Sequence, residues 1–208
     1  MKDNFCTIYL VRHGESEANI TGIVGGDTPL TQKGKKQALR LGEKLTDVNF
    51  SAVFSSNLKR AKQTAEYIVQ GRQFEIQIHK GLRERSFGSI DSDKDEKYKY
   101  LFEALKDMSD EEFWEWKIVD DMENAQEAVG RFIKALKEIS KSYLGKEILV
   151  VSHGTVMRTL LVKLGRGTFR DFPSGALENT AYIKLKSDGE NFTIEEVSGL
   201  KKLNGLSL

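Results

Sequence analysis

Short apolar runs alternating with segments of helical spacing constrain this chain more than any other feature. Phe5–Val11 (FCTIYLV), Ser51–Ser55 (SAVFS), Phe74–Ile78 (FEIQI) and Glu147–Val151 (EILVV) are built from strand-forming residues. FCTIYLV and EILVV are apolar without alternation, the pattern of strands buried on both faces, whereas FEIQI alternates. Between them lie amphipathic segments. Thr31–Leu45 carries Ala38, Leu41 and Leu45 on one side, with Thr31 as N-cap after Pro29. Asn57–Val69 is helical with Asn57 as cap. Glu123–Tyr143 sets Val129, Phe132, Ile133, Leu136 and Ile139 on one face, and Thr155–Leu164 is a helix that Gly165 stops. Thr180–Lys186 and Phe192–Val197 are two closing strands joined at Ser187-Asp188-Gly189. Strand and helix in alternation predict an α/β fold: a three-layer α/β/α sandwich with a mostly parallel sheet and one antiparallel strand.

Residues 86 to 121 depart from this alternation. A charge run, Asp91 to Lys97, precedes Tyr98–Met108, whose Leu101, Leu105 and Met108 have helical spacing, and then Phe113, Trp114 and Trp116. This stretch reads as a small helical cap inserted into a single domain spanning 1–208. Phe102, Phe113, Trp114 and Trp116 read first as cap core, with pocket lining by one ring as the lesser reading. The charge run reads as a solvated surface.

The 32 Lys+Arg against 31 Asp+Glu give a net charge of +1, which argues against a nucleic-acid partner. No stretch reaches the length of a membrane-spanning helix, and the N-terminus lacks a secretory signal, so a cytoplasmic protein with no membrane partner is expected. The lone Cys6, inside an apolar run, reads as a buried inert thiol, and no Cys/His zinc spacing occurs. The residues leave the oligomeric state open, a homodimer included.

In open α/β sheets, ligands bind beyond the carboxyl ends of the strands. FCTIYLV runs directly into Arg12-His13-Gly14, and EILVV into Ser152-His153-Gly154. Arg60 follows SAVFS in the first turn of a helix, and Leu82-Arg83-Glu84 follows FEIQI. Two histidines, two arginines and a glutamate are therefore predicted on one rim. Arginine's planar fork neutralises and orients phosphate. A neutral imidazole can attack phosphorus, a second, protonated one can offset the charge of the transferring oxygens, and a carboxylic acid can protonate the leaving alkoxide. Glycine after each histidine would let the backbone turn sharply beside the phosphate. The Gly-rich Thr21–Gly26 lacks the Gly-Lys-Ser/Thr ending of a nucleotide-binding P-loop and reads as a mobile loop near the site. His79 reads as structural or surface.

At these residues the chain resembles the histidine phosphatase superfamily, which includes the cofactor-dependent phosphoglycerate mutases. Leu10-Val11-Arg12-His13-Gly14-Glu15-Ser16-Glu17-Ala18-Asn19 resembles its opening signature, and Asp27-Thr28-Pro29-Leu30-Thr31-Gln32-Lys33-Gly34 its second block. The segment from Ser55 to Ala65, Leu82-Arg83-Glu84-Arg85-Ser86-Phe87-Gly88, and Val150-Val151-Ser152-His153-Gly154 resemble the second-arginine, acid and second-histidine motifs. Five blocks in order carry far more weight than the Arg-His-Gly triplet alone. The resemblance implies that His13 is the nucleophile and Glu84 the proton donor. It implies that Arg12, Asn19, Arg60 and His153 bind the phosphate and that no metal is used; Gly154 is expected in the phosphate-binding set, and no cofactor is expected. Glu84 is distinguished from Glu75, Asp91 and Asp93 by its place after a strand and its spacing to Gly88.

The expected function is hydrolysis of a small phosphorylated metabolite through phosphohistidine, with mutase-type transfer as the alternative. Similar mutases usually have a longer chain and a larger, more basic insertion, and tend to have histidine where Ser86 stands. A non-catalytic phospho-ligand binder would be expected to have lost the nucleophile or acid. A metal-dependent hydrolase would need a carboxylate ligand set that the motifs do not supply.

Overall fold

The computed structural model describes residues 4–94, 98 and 108–201. The described strands form a six-stranded sheet in the order β3-β2-β4-β1-β5-β6. They are β1 (Cys6–Arg12), β2 (Phe50–Ser55), β3 (Ile76–Ile78), β4 (Glu147–Ser152), β5 (Leu177–Ser187) and β6 (Phe192–Leu200). β1 to β4 pair in parallel; β5 runs antiparallel to both β1 and β6, and is the one strand directed against the rest. The helices are α1 (Glu17–Thr21), α2 (Gln32–Lys44), α3 (Lys59–Ile68), α4 (Asp110–Glu115), α5 (Ala125–Lys141) and α6 (Gly154–Lys163), with 3-10 turns at Lys80–Leu82 and Gly88–Ile90. The expected α/β sandwich with one antiparallel strand is the observed architecture.

The strands' period of two sorts the core into two layers. Ile8 and Leu10 of β1, with Ile148 and Val150 of β4, face the cluster containing Phe132 and Leu136 of α5 and Met157 and Leu160 of α6. Their neighbours Tyr9, Val11, Leu149 and Val151 face Ala38 and Leu41 of α2 and Ala61, Ala65 and Ile68 of α3. β1 and β4 are thus buried on both faces, which explains their unbroken apolar runs. In β2 a register shift between Phe50 and Ala52 lets Phe50 join Val53 on the α2/α3 side.

The structure corrects several boundaries. FEIQI forms a strand only over Ile76–Ile78, an edge strand with one partner and three paired positions. Asn57 does not cap α3. The N-cap is Leu58, which has no side-chain bond, and Asp27 Oδ1 accepts from Lys59 N at 2.6 Å instead. The glycine-rich segment is preceded by α1, closed by an Asn19–Ser16 capping box and by Gly22 in the left-handed conformation. Thr31, by contrast, caps α2 as expected, accepting from Gly34 N, and Gly165 follows α6 with φ 75°. Cys6 is buried, which pushes its thiol up to about 12.

Between 86 and 121 the structure has the Gly88–Ile90 turn and α4. The helix expected over Tyr98–Met108, and Phe102 with it, lies outside the described residues apart from Tyr98 and Met108. Among the described residues no helix is long and apolar enough to cross a membrane.

Candidate active site

The parallel ends of β1, β2 and β4 meet at one rim, and the pairing of β1 with β4 carries past the strands: His13 N donates to Ser152 O at 3.0 Å. The His13 carbonyl accepts from Asn179 Nδ2 at 3.1 Å and from Thr180 N at 3.4 Å. Thr180 has φ 61°, an uncommon conformation for a β-branched residue, at the irregularity of β5.

The His13 ring, 3% exposed, is held from both nitrogens. Nδ1 lies 2.7 Å from the Gly14 carbonyl, which can only accept, so Nδ1 carries the proton. Nε2 accepts from Arg60 Nε at 3.1 Å. Burial, reinforced by the charges of Arg60 and Arg12, holds His13 well below the ordinary imidazole value, so the ring is neutral with its Nε2 lone pair toward Arg60.

Arg12 and Arg60 lie on the same wall. Arg12 donates to the Leu177 carbonyl, and its Nε is buried without a partner among the described residues. Arg60, in the first turn of α3, also donates to Gly26 O. Burial lowers both guanidinium groups, and the Glu84 carboxylate acts in the opposite direction. Glu84 docks on the N-terminus of α6. Its Oε2 accepts from Thr155 N at 3.0 Å, and its Oε1 from Val156 N at 2.9 Å and Arg85 N at 3.0 Å. Ser152 Oγ donates to Leu82 O, tying the end of β4 to the segment that bears Glu84.

His153 is placed differently from the sequence expectation. It is fully buried with its ring centroid 5.1 Å from that of His13, but it is not part of the cavity wall. Burial, with the charges of Arg60 and Arg12 and the neighbouring His13, holds it well below the ordinary value, so it is neutral rather than protonated. Its Nε2 is 2.8 Å from Ser56 Oγ, and its Nδ1 is buried with no partner among the described residues. The two motif glycines are also corrected in their reason, because neither adopts positive φ. A Cβ on Gly14 would sit 2.5 Å from the Gly34 carbonyl oxygen, and one on Gly154 would sit 2.9 Å from Arg12 Nε. Close approach, not a sharp turn, requires them.

These groups open onto a cavity of about 1000 Å³. Arg12, His13, Asn19, Arg60, Glu84 and Gly154 line one part of it. Asn19 Oδ1 accepts from Ser16 N and from Asn179 Nδ2, which also reaches the His13 carbonyl. The Gly22–Gly25 loop forms a side wall, tied to the insertion by Val24 N donating to Asp93 O and Ser92 N to Val24 O. Phe113 belongs to the main core and also lines the cavity, Trp116 lines the cavity, and Trp114 packs against the core, so both readings of this cluster hold in part. His79 is structural: its Nδ1 accepts from Gly81 N.

Arg85 and Arg158 also line the cavity, and motif reading missed both in this role. A signal for Arg158 was present, since it is the one charged residue between Val156 and Val162. Among the described residues no three His, Cys, Asp or Glu side chains cluster as a metal site.

The profile of the histidine phosphatase superfamily (branch 1) matches residues 8–198. The uncharacterized phosphatase PhoE of Bacillus subtilis is 29% identical over 200 residues, covering 95% of this chain and 97% of that protein. The probable phosphoglycerate mutase GpmB of Salmonella arizonae is 33% identical over 164 residues, covering 74% of this chain and 72% of that protein. Among solved structures, YhfR of Bacillus stearothermophilus is similar with a TM-score of 0.79 and 28% identity, over 95% of this chain and 98% of that one. With a profile match from β1 to β6 and a fold shared along nearly the whole chain, this protein belongs to the histidine phosphatase superfamily, whose members include phosphatases and phosphoglycerate mutases.

Proposed function

We propose that this chain is a metal-independent phosphatase of small phosphorylated metabolites, working through a phosphohistidine on His13. The observation that carries the reading is the His13 ring: neutral, with its Nδ1 proton held by the Gly14 carbonyl and its Nε2 lone pair facing a cavity wall that bears Arg12 and Arg60. Such an imidazole is a nucleophile already in the required tautomer. An entering phosphate takes over the Arg60 Nε–H and the unpartnered Arg12 Nε, which frees the lone pair and neutralises the phosphate oxygens. Two guanidinium groups supply the charge that a metal would otherwise bring.

Nε2 then attacks phosphorus as the ester P–O bond breaks, and Glu84, which takes up the proton of the phosphate monoanion as the substrate enters, passes it to the leaving oxygen. In the second half, Glu84 takes a proton from water as that water attacks the phosphohistidine, releasing inorganic phosphate and regenerating neutral His13. His153, buried beside His13 and outside the cavity wall, is kept as the expected phosphoryl ligand, a role that requires its unpartnered Nδ1 to be uncovered when phosphate binds. Asn19 and the Gly154 end of α6 complete the phosphate-binding set. The near-neutral net charge favours a metabolite over nucleic acid, and a lone buried thiol suits a cytoplasmic setting.

Mutase-type transfer, in which the phosphoryl returns to another hydroxyl, has the GpmB likeness in its favour. Hydrolysis is preferred because residues 86 to 121 are mixed in charge and Ser86 stands where similar mutases tend to have histidine. Release of phosphate from 4-nitrophenyl phosphate in excess chelator tests the reading. Turnover is expected, with a loss of about 10³-fold or more in His13→Ala. Equal rates for the two proteins would reject it. Phosphoryl transfer to an added alcohol in preference to water would shift the assignment to a mutase.

A further inference from the structure

Arg131, in the second turn of α5, engages every donor of its guanidinium group. Nε donates to Glu123 Oε1 at 2.8 Å and Nη2 to Glu123 Oε2 at 2.7 Å, a two-bond fork on one carboxylate. Nη1 donates to the main-chain carbonyls of Gly81 at 2.8 Å and Arg83 at 3.1 Å, and Nη2 also reaches that of Glu84 at 3.2 Å. An arginine side chain has five N–H groups, and these five bonds use them all. Glu123 grips the same stretch from its own side: its Oε2 accepts from Ser86 N at 2.9 Å, and its N donates to Ser86 O at 3.0 Å. Burial alone would raise the Glu123 carboxyl, but the bonds from Arg131 and Ser86 N outweigh it and hold the group below its ordinary value.

The stretch so held needs outside partners. Residues 83–87 belong to no helix or strand, so their main-chain groups have no ladder to join. The Lys80–Leu82 turn before them lies directly against α5: a Cβ on Gly81 would sit 2.6 Å from Ala135 Cβ, one turn beyond Arg131. Glu84 is therefore fixed at two ends. Its carboxylate rests on Thr155 N and Val156 N of α6, and its main chain is held to α5 through Arg131. The second anchor comes from outside the five motif blocks, and neither Arg131 nor Glu123 is part of the cavity wall.

We propose that Arg131 and Glu123 are positioning residues for Glu84: the pair fixes the main chain from Gly81 to Ser86, and with it the place of the Glu84 carboxylate on α6. The kinetic consequence rests on the phosphatase reading; the structural one does not. A proton donor displaced by about 1 Å can lose about 10²-fold in rate. The loss should fall on esters whose leaving group needs a proton.

The test uses the full-length chain. Arg131→Met removes all five bonds, and Arg131→Lys keeps the charge without the fork. Arg131→Met is expected to slow an alkyl phosphate about tenfold or more beyond 4-nitrophenyl phosphate, with Arg131→Lys recovering part of that ratio. In a Glu84→Gln background the same substitution should slow the alkyl ester by less than about threefold more, because both changes act on one proton transfer. Equal slowing of the two esters, or the full further loss in the Glu84→Gln background, would overturn the proposal. Amide hydrogen exchange reads the anchor without turnover. Thr155 and Val156, whose N–H groups donate to Glu84, should exchange about tenfold or more faster in Arg131→Met relative to Met157, whose N donates to His153 O. Uniform acceleration of all three amides would mean a general loss of stability and would overturn the proposal too. Should Arg131→Met fail to fold, Arg131→Lys and Glu123→Gln carry the same two readouts with smaller shifts, and no shift in either variant overturns it. A shifted exchange ratio in a protein that turns over neither ester before substitution would reject the phosphatase reading and leave the anchor standing.

Discussion

At the scale of residues, the site is organised by what each polar atom is bonded to before a substrate arrives. Glu84 has both oxygens bonded to backbone N–H groups, so it is fixed on α6 rather than free to swing; these bonds favour its carboxylate, and its place beside the cavity lets it relay a proton that arrives with the substrate. Glu84→Gln is therefore expected to slow alkyl phosphates by about 10²- to 10⁴-fold while slowing 4-nitrophenyl phosphate by less than about tenfold, because nitrophenolate leaves without a proton. Equal losses on the two esters would remove Glu84 from that role. The sequence brought Arg12, His13, Arg60 and Glu84 to one rim because each lies at a strand's carboxyl end or in the segment that follows it, and strand ends in such a sheet converge. It could not give the depth of His153, since depth depends on Ser56 and on the side of the ring that His13 occupies. Nor could it pair Arg158 with Phe113 and Phe169, which reach it from different segments of the chain.

At the scale of elements, the motif blocks serve as tethers as much as chemistry. Asp27, from the block between α1 and α2, accepts from Lys59 N at the first turn of α3, one residue before Arg60. Gly26, just before that block, accepts from Arg60 itself. Asp27→Ala is expected to cost about 1 kcal/mol, lowering Tm by roughly 2–4 °C, and to raise KM several-fold as Arg60 loosens. Asp27→Asn, which keeps the acceptor, should recover most of both effects. An unchanged Tm in Asp27→Ala would contradict the capping role. The same contact explains why Asn57 was misread as the cap: a local signal competed with an acceptor 32 residues away, and only the fold brings Asp27 near. The periodic helices and the two-sided strands were legible because their patterns are local. FEIQI was read too long because its ends have no partner strand, a property of the sheet edge and not of the five residues.

For the whole molecule, the buried histidine pair couples stability to pH. Both rings are held well below the ordinary value of 6.5 in the folded chain, mainly by burial. Below pH 6.5 the unfolded chain takes up two protons that the folded chain refuses, so stability falls as pH drops through that window and levels off only once the folded histidines titrate. The slope approaches about 1.4 kcal/mol per pH unit for each histidine. Urea midpoints at pH 7.5 and 5.5 should therefore differ clearly, and a His13→Gln/His153→Gln protein should show most of that difference removed. A midpoint equal at both pH values in the unsubstituted protein would contradict the neutral, buried pair. The same neutrality underlies the proposed role of His13 as nucleophile, and the most direct measurement is of the whole chain caught mid-cycle. After rapid mixing with substrate and quench in base, where phosphohistidine survives, the intact protein is expected to gain the mass of one phosphoryl group. The group should be lost in acid and map to the peptide bearing His13. A phosphoryl group mapped to His153, or no adduct at any quench time during turnover, would contradict it.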